Sequence, residues 1–409
     1  QRQMCIRDRG IYLQNTNGLV VEGVHYRGNA LVGIGTAADG SPVPYAYCPN
    51  QGCSGGLTNS SYPPSSNLVF RNNVIELSHS QLNLRYTKDV LVENNLFRLS
   101  VGDHIIVAPG YTSECPPSYN VFIRGNTFLY AGDTVIDLSP QTCGSGYAPG
   151  SIINGVIEDN YIETAGNAIL ALVTSNLVIR NNTIRQYAGD ENGITSGYES
   201  PGMSPPIIIG NRLYNSPGIQ GRYVINNYCE VCGQVIASPS PVSGCYIVGN
   251  VLRNITFGVR VPGCGSGVVA NNKVYIGYTW NPSENAGTVG GAIFDNGSSW
   301  PPATNLLITN NYIEGPPLTN SNLSSYNYIP YGIALANPGS QGNVITGNTI
   351  VNAKCAYPLA GRVSPIFCGA STPYGSWFPI AVASPNNVIR DNVIYAVNGD
   401  YNYGNLEPI

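Results

Sequence analysis

Two acidic positions recur in similar company: Gly102-Asp103-His104 and, 30 residues on, Gly132-Asp133, with Asp137 just beyond. Held in register on neighbouring strands, Asp103 and Asp133 would bring two carboxylates to about 5 Å, suited to a retaining glycosidase pair or to one shared cation. His104 beside them would be the general base. The plainer reading is that both Asp cap a corner, as Asn167 in Gly166-Asn167 would do without chemistry. His25 and His79 have no carboxylate or Cys at motif spacing and read as surface residues. Lys88-Asp89 and Asp190-Glu191 read as solvated charges. Trp280, Trp300 and Trp377 stand in long insertions among Tyr residues, where they would stack on sugar rings, close a loop or form a protein interface.

The cysteines carry the next chemistry. Setting aside the first nine residues, QRQMCIRDR, whose four charges do not match the rest and which read as non-native, ten Cys remain: Cys48, Cys53, Cys115, Cys143, Cys229, Cys232, Cys245, Cys264, Cys355 and Cys368. An even number in loop-rich surroundings reads as disulfides and an oxidising compartment. Proximity suggests the pairs Cys48–Cys53, Cys115–Cys143, Cys245–Cys264 and Cys355–Cys368. Cys229 and Cys232 are the awkward pair, because a continuous strand sends i and i+3 to opposite faces. The alternatives are buried thiols or a zinc site on Cys229, Cys232, Cys245 and Cys264. Sequons at Asn59, Asn181, Asn254, Asn296 and Asn322 fit a secreted surface.

Composition narrows the class. The chain has 409 residues, of which 10% are charged and 43% hydrophobic, with 48 Gly, 30 Pro and 28 Tyr. Three Lys among so many residues exclude a long helical or coiled-coil protein, and low charge with abundant β-branched residues excludes disorder. A net charge of −4 gives no basic footprint for nucleic acid, and no run of 18 apolar residues suggests a membrane span.

The elements that must position these groups show as a repeat. The pattern apolar-x-[Asn/Gly/Asp]-Asn-x-apolar recurs with its Asn at 73, 95, 126, 160, 182, 211, 227, 250, 272, 311, 348 and 392. Copies such as FRNNVI, IEDNYI and ITGNTI describe a strand, a corner and a second strand. The residue before the repeated Asn takes the left-handed backbone of the corner. The repeated Asn points inward and bonds its equivalents about 4.8 Å away, which satisfies a buried polar row. A third apolar run follows in HIIVAP (104–109), TVIDLS (134–139), AILALV (168–173), QVIAS (234–238), GVRV (258–261), GAIFD (291–295), GIALA (332–336) and PIAVAS (379–384). Consecutive apolar residues there imply that both faces of that sheet are covered. A spacing of 16 between Asn211 and Asn227 is short for a three-sided coil, so the Asn211 copy is expected to be displaced.

These repeats resemble the right-handed parallel β-helix superfamily, whose pectate-lyase-like members have three strands per coil and an Asn ladder. The resemblance implies an all-β, three-sided solenoid of about 12 coils occupying residues 10–409 as one domain. Lyases of the superfamily use Arg or Lys beside a uronate with Ca²⁺ held by carboxylates. Its polygalacturonase-like hydrolases use several Asp with a His and a basic pair. Neither signature stands in this sequence. Its sixteen Arg are scattered, and Arg71, Arg124, Arg180 and Arg390, each two residues before a ladder Asn, do not fall on consecutive repeats. The expectation is therefore an extracellular structural solenoid without a cofactor, self-associating into a surface filament, sheath or adhesin. The alternatives are a secreted lyase or glycosidase acting on an acidic polysaccharide, with Ca²⁺ only in the lyase case, and a viral fibre.

Overall fold

The computed structural model describes residues 11–13, 17–27, 47–49, 64–78, 81–109, 116–138, 142–143, 146–147, 152–187, 192–197, 204–236, 244–255, 258–276, 291–295, 301–315, 331–335, 337–351 and 380–395. Parallel strands repeat along the chain in the order first, second and third sheet, the arrangement of a right-handed parallel β-helix. Two compact units are present, Gln1–Pro217 and Gly218–Ile409. The residues 1–9 set apart above lie outside the described residues. Among the described residues no helix is long and apolar enough to cross a membrane.

In the first unit the first sheet includes Ser65–Arg71, Thr87–Glu93, Ser118–Arg124, Ile152–Glu158 and Thr174–Arg180, each seven residues long. Alternation builds the core. Phe70, Val92, Ile123, Ile157 and Ile179 stand in one inward row, none more than 3% exposed. The second sheet adds Phe97, Phe128, Ile162 and Ile184, all fully buried, and the third adds Leu82, Ile105, Ile136, Ile169 and Ile194 in register. Burying each such side chain contributes about 1.5–3 kcal/mol, so a continuous inner row is the main stabilising element.

The corner between the first and second sheets matches the expected chemistry. Asn72, Asn94, Gly125, Asp159, Asn181 and Gly210 all have φ between 54° and 69°. The next residue is the ladder Asn. Asn95 Oδ1 accepts from Asn73 N–H at 3.0 Å and Asn73 Nδ2 at 2.9 Å, while Asn95 Nδ2 donates to Phe70 O and Asn126 Oδ1, both at 2.9 Å. The same bonds link Asn126, Asn160, Asn182 and Asn211. Asn211 is therefore a regular member, correcting the expectation of displacement. Strands of only three residues, Ile207–Ile209 and Arg212–Tyr214, shorten its coil.

A second ladder escapes the repeat pattern. Asp89, Asn120, Asn154 and Asn176 are left-handed bulges early in the long strands of the first sheet. Asn120 Nδ2 donates to Asp89 Oδ1 at 2.7 Å, Asn154 to Asn120 at 3.4 Å and Asn176 to Asn154 at 3.1 Å. Asp89 is thus a member of an ordered outer row, with Lys88 Nζ 4.0 Å away. The scattered Arg are ordered too. Register places Glu22, Arg71, Glu93, Arg124, Glu158 and Arg180 in one outward row of alternating sign. Ion pairs Arg71–Glu22, Arg124–Glu93 and Arg180–Glu158 close at 2.8, 2.9 and 2.6 Å. Each exposed pair is worth about 0.2–1 kcal/mol.

The second unit repeats the plan with shorter strands, of three to five residues. Its ladder runs Asn227, Asn250, Asn272, Asn311, Asn348 and Asn392, and Asn343 with Asn387 adds a shorter row. Cys229–Cys232 and Cys245–Cys264 are disulfides. Cys229 and Cys232 both face inward because Val231 between them takes φ 54°, so the chain turns there rather than running as one strand. These two bonds replace the zinc alternative. The side chains of Cys48, Cys53, Cys115, Cys143, Cys355 and Cys368 lie outside the described residues.

Candidate functional site

The acidic residues singled out from the sequence meet in the first unit, where the chain turns from the second sheet into the third. Strands Leu96–Ser100 and Thr127–Ala131 lead into this corner, and Ile105–Ala108 and Ile136–Asp137 leave it. Ile105 pairs with Ile136, so counting back places Asp103 opposite Thr134 and Asp133 opposite Gly102. Asp103 and Asp133 are thus offset by one residue rather than directly stacked. Thr134 N–H donates to Asp103 Oδ1 at 3.2 Å, the capping bond of the plainer reading. Gly132 is required here, since a Cβ on it would lie 2.0 Å from the Val101 carbonyl oxygen. That close approach fixes where Asp133 emerges.

Capping is not all that Asp103 does. Its carboxyl is half-buried and is pushed up to about 7, first by loss of hydration and then by the negative charges of Asp137 and Asp133; the Thr134 N–H opposes this. Asp137 stands half-buried on the outer face of the third sheet, in register with Ile106 and Leu170. Asp133 is exposed. One carboxyl that keeps its proton near neutral pH therefore lies beside an exposed one, Asp133, and another half-buried one, Asp137. Such separation of roles is what acid–base chemistry with carboxylates requires. Asp137 was noted in the sequence only as lying farther along the strand, yet its charge acts on Asp103 more strongly than that of Asp133.

His104 is not part of this group. It is fully buried inside the coil, with Phe97 and Phe128 at ring-centroid distances of 6.2 and 5.8 Å. Those two rings stack on each other at 5.0 Å. The neutral ring donates from Nδ1 to Gln81 Oε1 at 2.5 Å, and Gln81 in turn donates to Arg98 O at 2.7 Å. Burial drives the imidazole down to about 3, against weak support from the Leu129 carbonyl, with which Nε2 makes no well-formed hydrogen bond. The expected base is thus a neutral packing residue, because an imidazolium in that interior would lose its hydration.

The remaining sequence candidates are elsewhere. His25, expected without a carboxylate, pairs through Nε2 with Glu76 Oε1 at 3.1 Å across 51 residues of sequence. His79, Asp190, Glu191, Trp280, Trp300 and Trp377 lie outside the described residues, as do the sequons at Asn59, Asn296 and Asn322. Asn181 and Asn254 are exposed at left-handed positions. Among the described residues no three His, Cys, Asp or Glu side chains are grouped as a metal site needs.

The family described as "Right handed beta helix region" matches residues 9–184, a span that contains the whole carboxylate corner. Together with the stacked parallel sheets, this match gives the fold as a right-handed parallel β-helix. Among solved structures, the chain is similar to the A-module of mannuronan C-5 epimerase AlgE6 from Azotobacter vinelandii at 15% identity, covering 93% of this chain and 92% of that one, with a TM-score of 0.49. The A-module of mannuronan C-5 epimerase AlgE4 from the same organism shares 12% identity over 95% and 90% of the chains, with a TM-score of 0.38. DFA-IIIase from Arthrobacter chlorophenolicus A6, in complex with GF2, shares 11% over 98% and 71%, with a TM-score of 0.29. No curated protein matches the sequence.

Proposed function

We propose that the protein is an extracellular carbohydrate-active enzyme that cleaves glycosidic bonds at the Asp103, Asp133 and Asp137 corner. The observation that carries this reading is the pairing of a half-buried Asp103 carboxyl, protonated up to about pH 7, with Asp137 and Asp133 beside it. Asp103 donates its proton to the leaving glycosidic oxygen, and Asp137 is the carboxylate that supports the developing positive charge or the incoming water. Asp133 adds negative charge that keeps Asp103 protonated. Lyase chemistry would ask for a basic residue beside a uronate; the groups acting on Asp103 are acidic or neutral, so hydrolysis fits better. The two disulfides support an oxidising, extracellular location.

The ladders, disulfides and low charge that favoured a filament, adhesin or viral fibre serve an enzyme scaffold equally well. They do not choose between the roles; the carboxylate corner supports the enzymatic one. The test is release of reducing ends from a panel of neutral and acidic polysaccharides by the wild type and by Asp103→Asn. Activity that is lost in the variant supports the reading; release by neither protein, or equally by both, refutes it.

A further inference from the structure

On the second-sheet side of the same corner the chain displays aromatic rings at a backbone cost. Leu77, Leu99 and Tyr130 occupy equivalent positions on three neighbouring strands, and all three are left-handed, with φ of 57°, 55° and 61°. Bulky L-residues rarely adopt that conformation; it recurs at Asn215, Val231 and Asn254, each four residues after a ladder Asn, as a step of the second-sheet corner. Here it turns side chains outward: Leu99 and Tyr130 are 43% and 51% exposed. Tyr187, 56% exposed, stacks on Tyr130 with centroids 6.0 Å apart and rings 17° from parallel.

Polar contacts hold the platform in place. Tyr187 and Tyr161 donate their hydroxyls to the two oxygens of Glu163. These bonds hold the Glu163 carboxyl below the usual carboxylate range and raise both phenols. A carboxylate offers about four acceptor positions, so Glu163 can still accept from a ligand hydroxyl. Rigid, pre-ordered Tyr rings give contact area at small entropy cost. From Tyr130 the chain passes through Ala131 and Gly132 directly to Asp133, a reach of at most about 10 Å.

We propose that the Tyr130–Tyr187 stack with Glu163 is a binding subsite for a neutral sugar ring of a polysaccharide chain whose next units lie over the carboxylates. The proposal takes its ligand class from the glycosidase reading above. A sugar fits both features, because its C–H face covers an aromatic ring while its hydroxyls reach an acceptor. Neutrality follows from charge. Asp133, Asp137 and Glu163 flank the path, with Asp103 neutral below about pH 7; in the Glu163 row Arg98 is paired with Glu76, and Arg185 is the cation acting on Glu163. A uronate chain would meet repulsion there. This departs from the acidic polysaccharide expected from the sequence, and the test below distinguishes the two.

The experiment is affinity electrophoresis of the full chain through gels containing galactomannan, xyloglucan, inulin, polygalacturonate or alginate. At least one neutral polysaccharide should retard the wild type. The Tyr130→Ala/Tyr187→Ala variant should weaken that retardation about tenfold or more, while Tyr130→Phe, which keeps the ring and leaves the Tyr187 bond to Glu163, should retain most of it and report on folding. Retardation only by the acidic polymers, none by any polymer, or none lost in the Ala variant would overturn the subsite. Asp103→Asn separates the two readings, since it should still bind. Binding that depends on Tyr130 and Tyr187 in a protein that cleaves nothing would leave the subsite standing and refute the catalytic reading.

Discussion

Asp103→Asn should stabilise the protein in alkaline but not in acid solution. The fold raises this carboxyl from 3.8 to about 7, mainly because it is withdrawn from water beside Asp137 and Asp133. The folded chain thus holds the proton more tightly than the unfolded chain. Stability is therefore lost as pH rises from about 4 to about 7, and the loss is complete above that. The interval corresponds to a penalty of about 4 kcal/mol on the ionised folded state. Asn removes the charge yet keeps an oxygen for the Thr134 N–H, so it escapes the penalty at pH 8 and gains almost nothing at pH 4. Urea unfolding of both proteins at the two pH values measures it. The variant should be more stable at pH 8 by about 2–4 kcal/mol and within about 1 kcal/mol at pH 4. A difference that does not change with pH would show that Asp103 ionises as an ordinary surface carboxyl, and the assignment of an acid would fall with it.

Asn182→Leu should leave Asn160 N–H and Ile157 O without their side-chain partners in a buried row, at about 1–3 kcal/mol each, and lower the thermal midpoint; an unchanged melt would contradict the inward ladder. Glu93→Lys would place a third cation between Arg71 and Arg124, so it should cost about 1 kcal/mol or less at low salt and recover in 1 M NaCl; a loss insensitive to salt would point to packing instead. His104→Phe should retain sugar release, because the imidazole is enclosed by Phe97 and Phe128; loss of activity in a folded variant would restore His104 as a catalytic group.

The fold was legible because the solenoid writes its constraint into every repeat. Only a left-handed residue can make the corner after the first sheet, and only an amide can satisfy the buried backbone beyond it, so Asn, Gly or Asp followed by Asn recurs. Where the constraint weakens, so does the signal. Strands Leu82–Arg85, Ile194–Ser196 and Gly218–Gln220 contain Asn83, Thr195 and Gln220 on a face that other runs fill with apolar residues, and the hydrophobic pattern passes over them. The outer row of Asp89, Asn120, Asn154 and Asn176 has no apolar frame of its own.

The carboxylate corner was half legible. Asp103 and Asp133 could be found from their Gly-Asp setting, but alignment on that dipeptide misplaces them by one. Counted from ladder residues Asn95 and Asn126, Asp103 is eight residues on and Asp133 seven, so the offset was present in the numbers. The inward turn of His104 was not readable, because it depends on packing beside the stacked Phe97 and Phe128 rings of neighbouring strands. Nor did the sequence mark Tyr130 and Tyr187 apart from 26 other Tyr; their stacking needs the register of three coils.

The pH dependence of kcat/KM for sugar release by the wild type and Asp103→Asn tests the central claim most directly. The wild type should be active while Asp103 holds its proton, with a descending limb near pH 7, and the variant should lose that limb together with about 10²–10⁴-fold of the rate. A wild type whose activity persists undiminished to pH 9, or a variant that cleaves as fast as the wild type, would contradict the account.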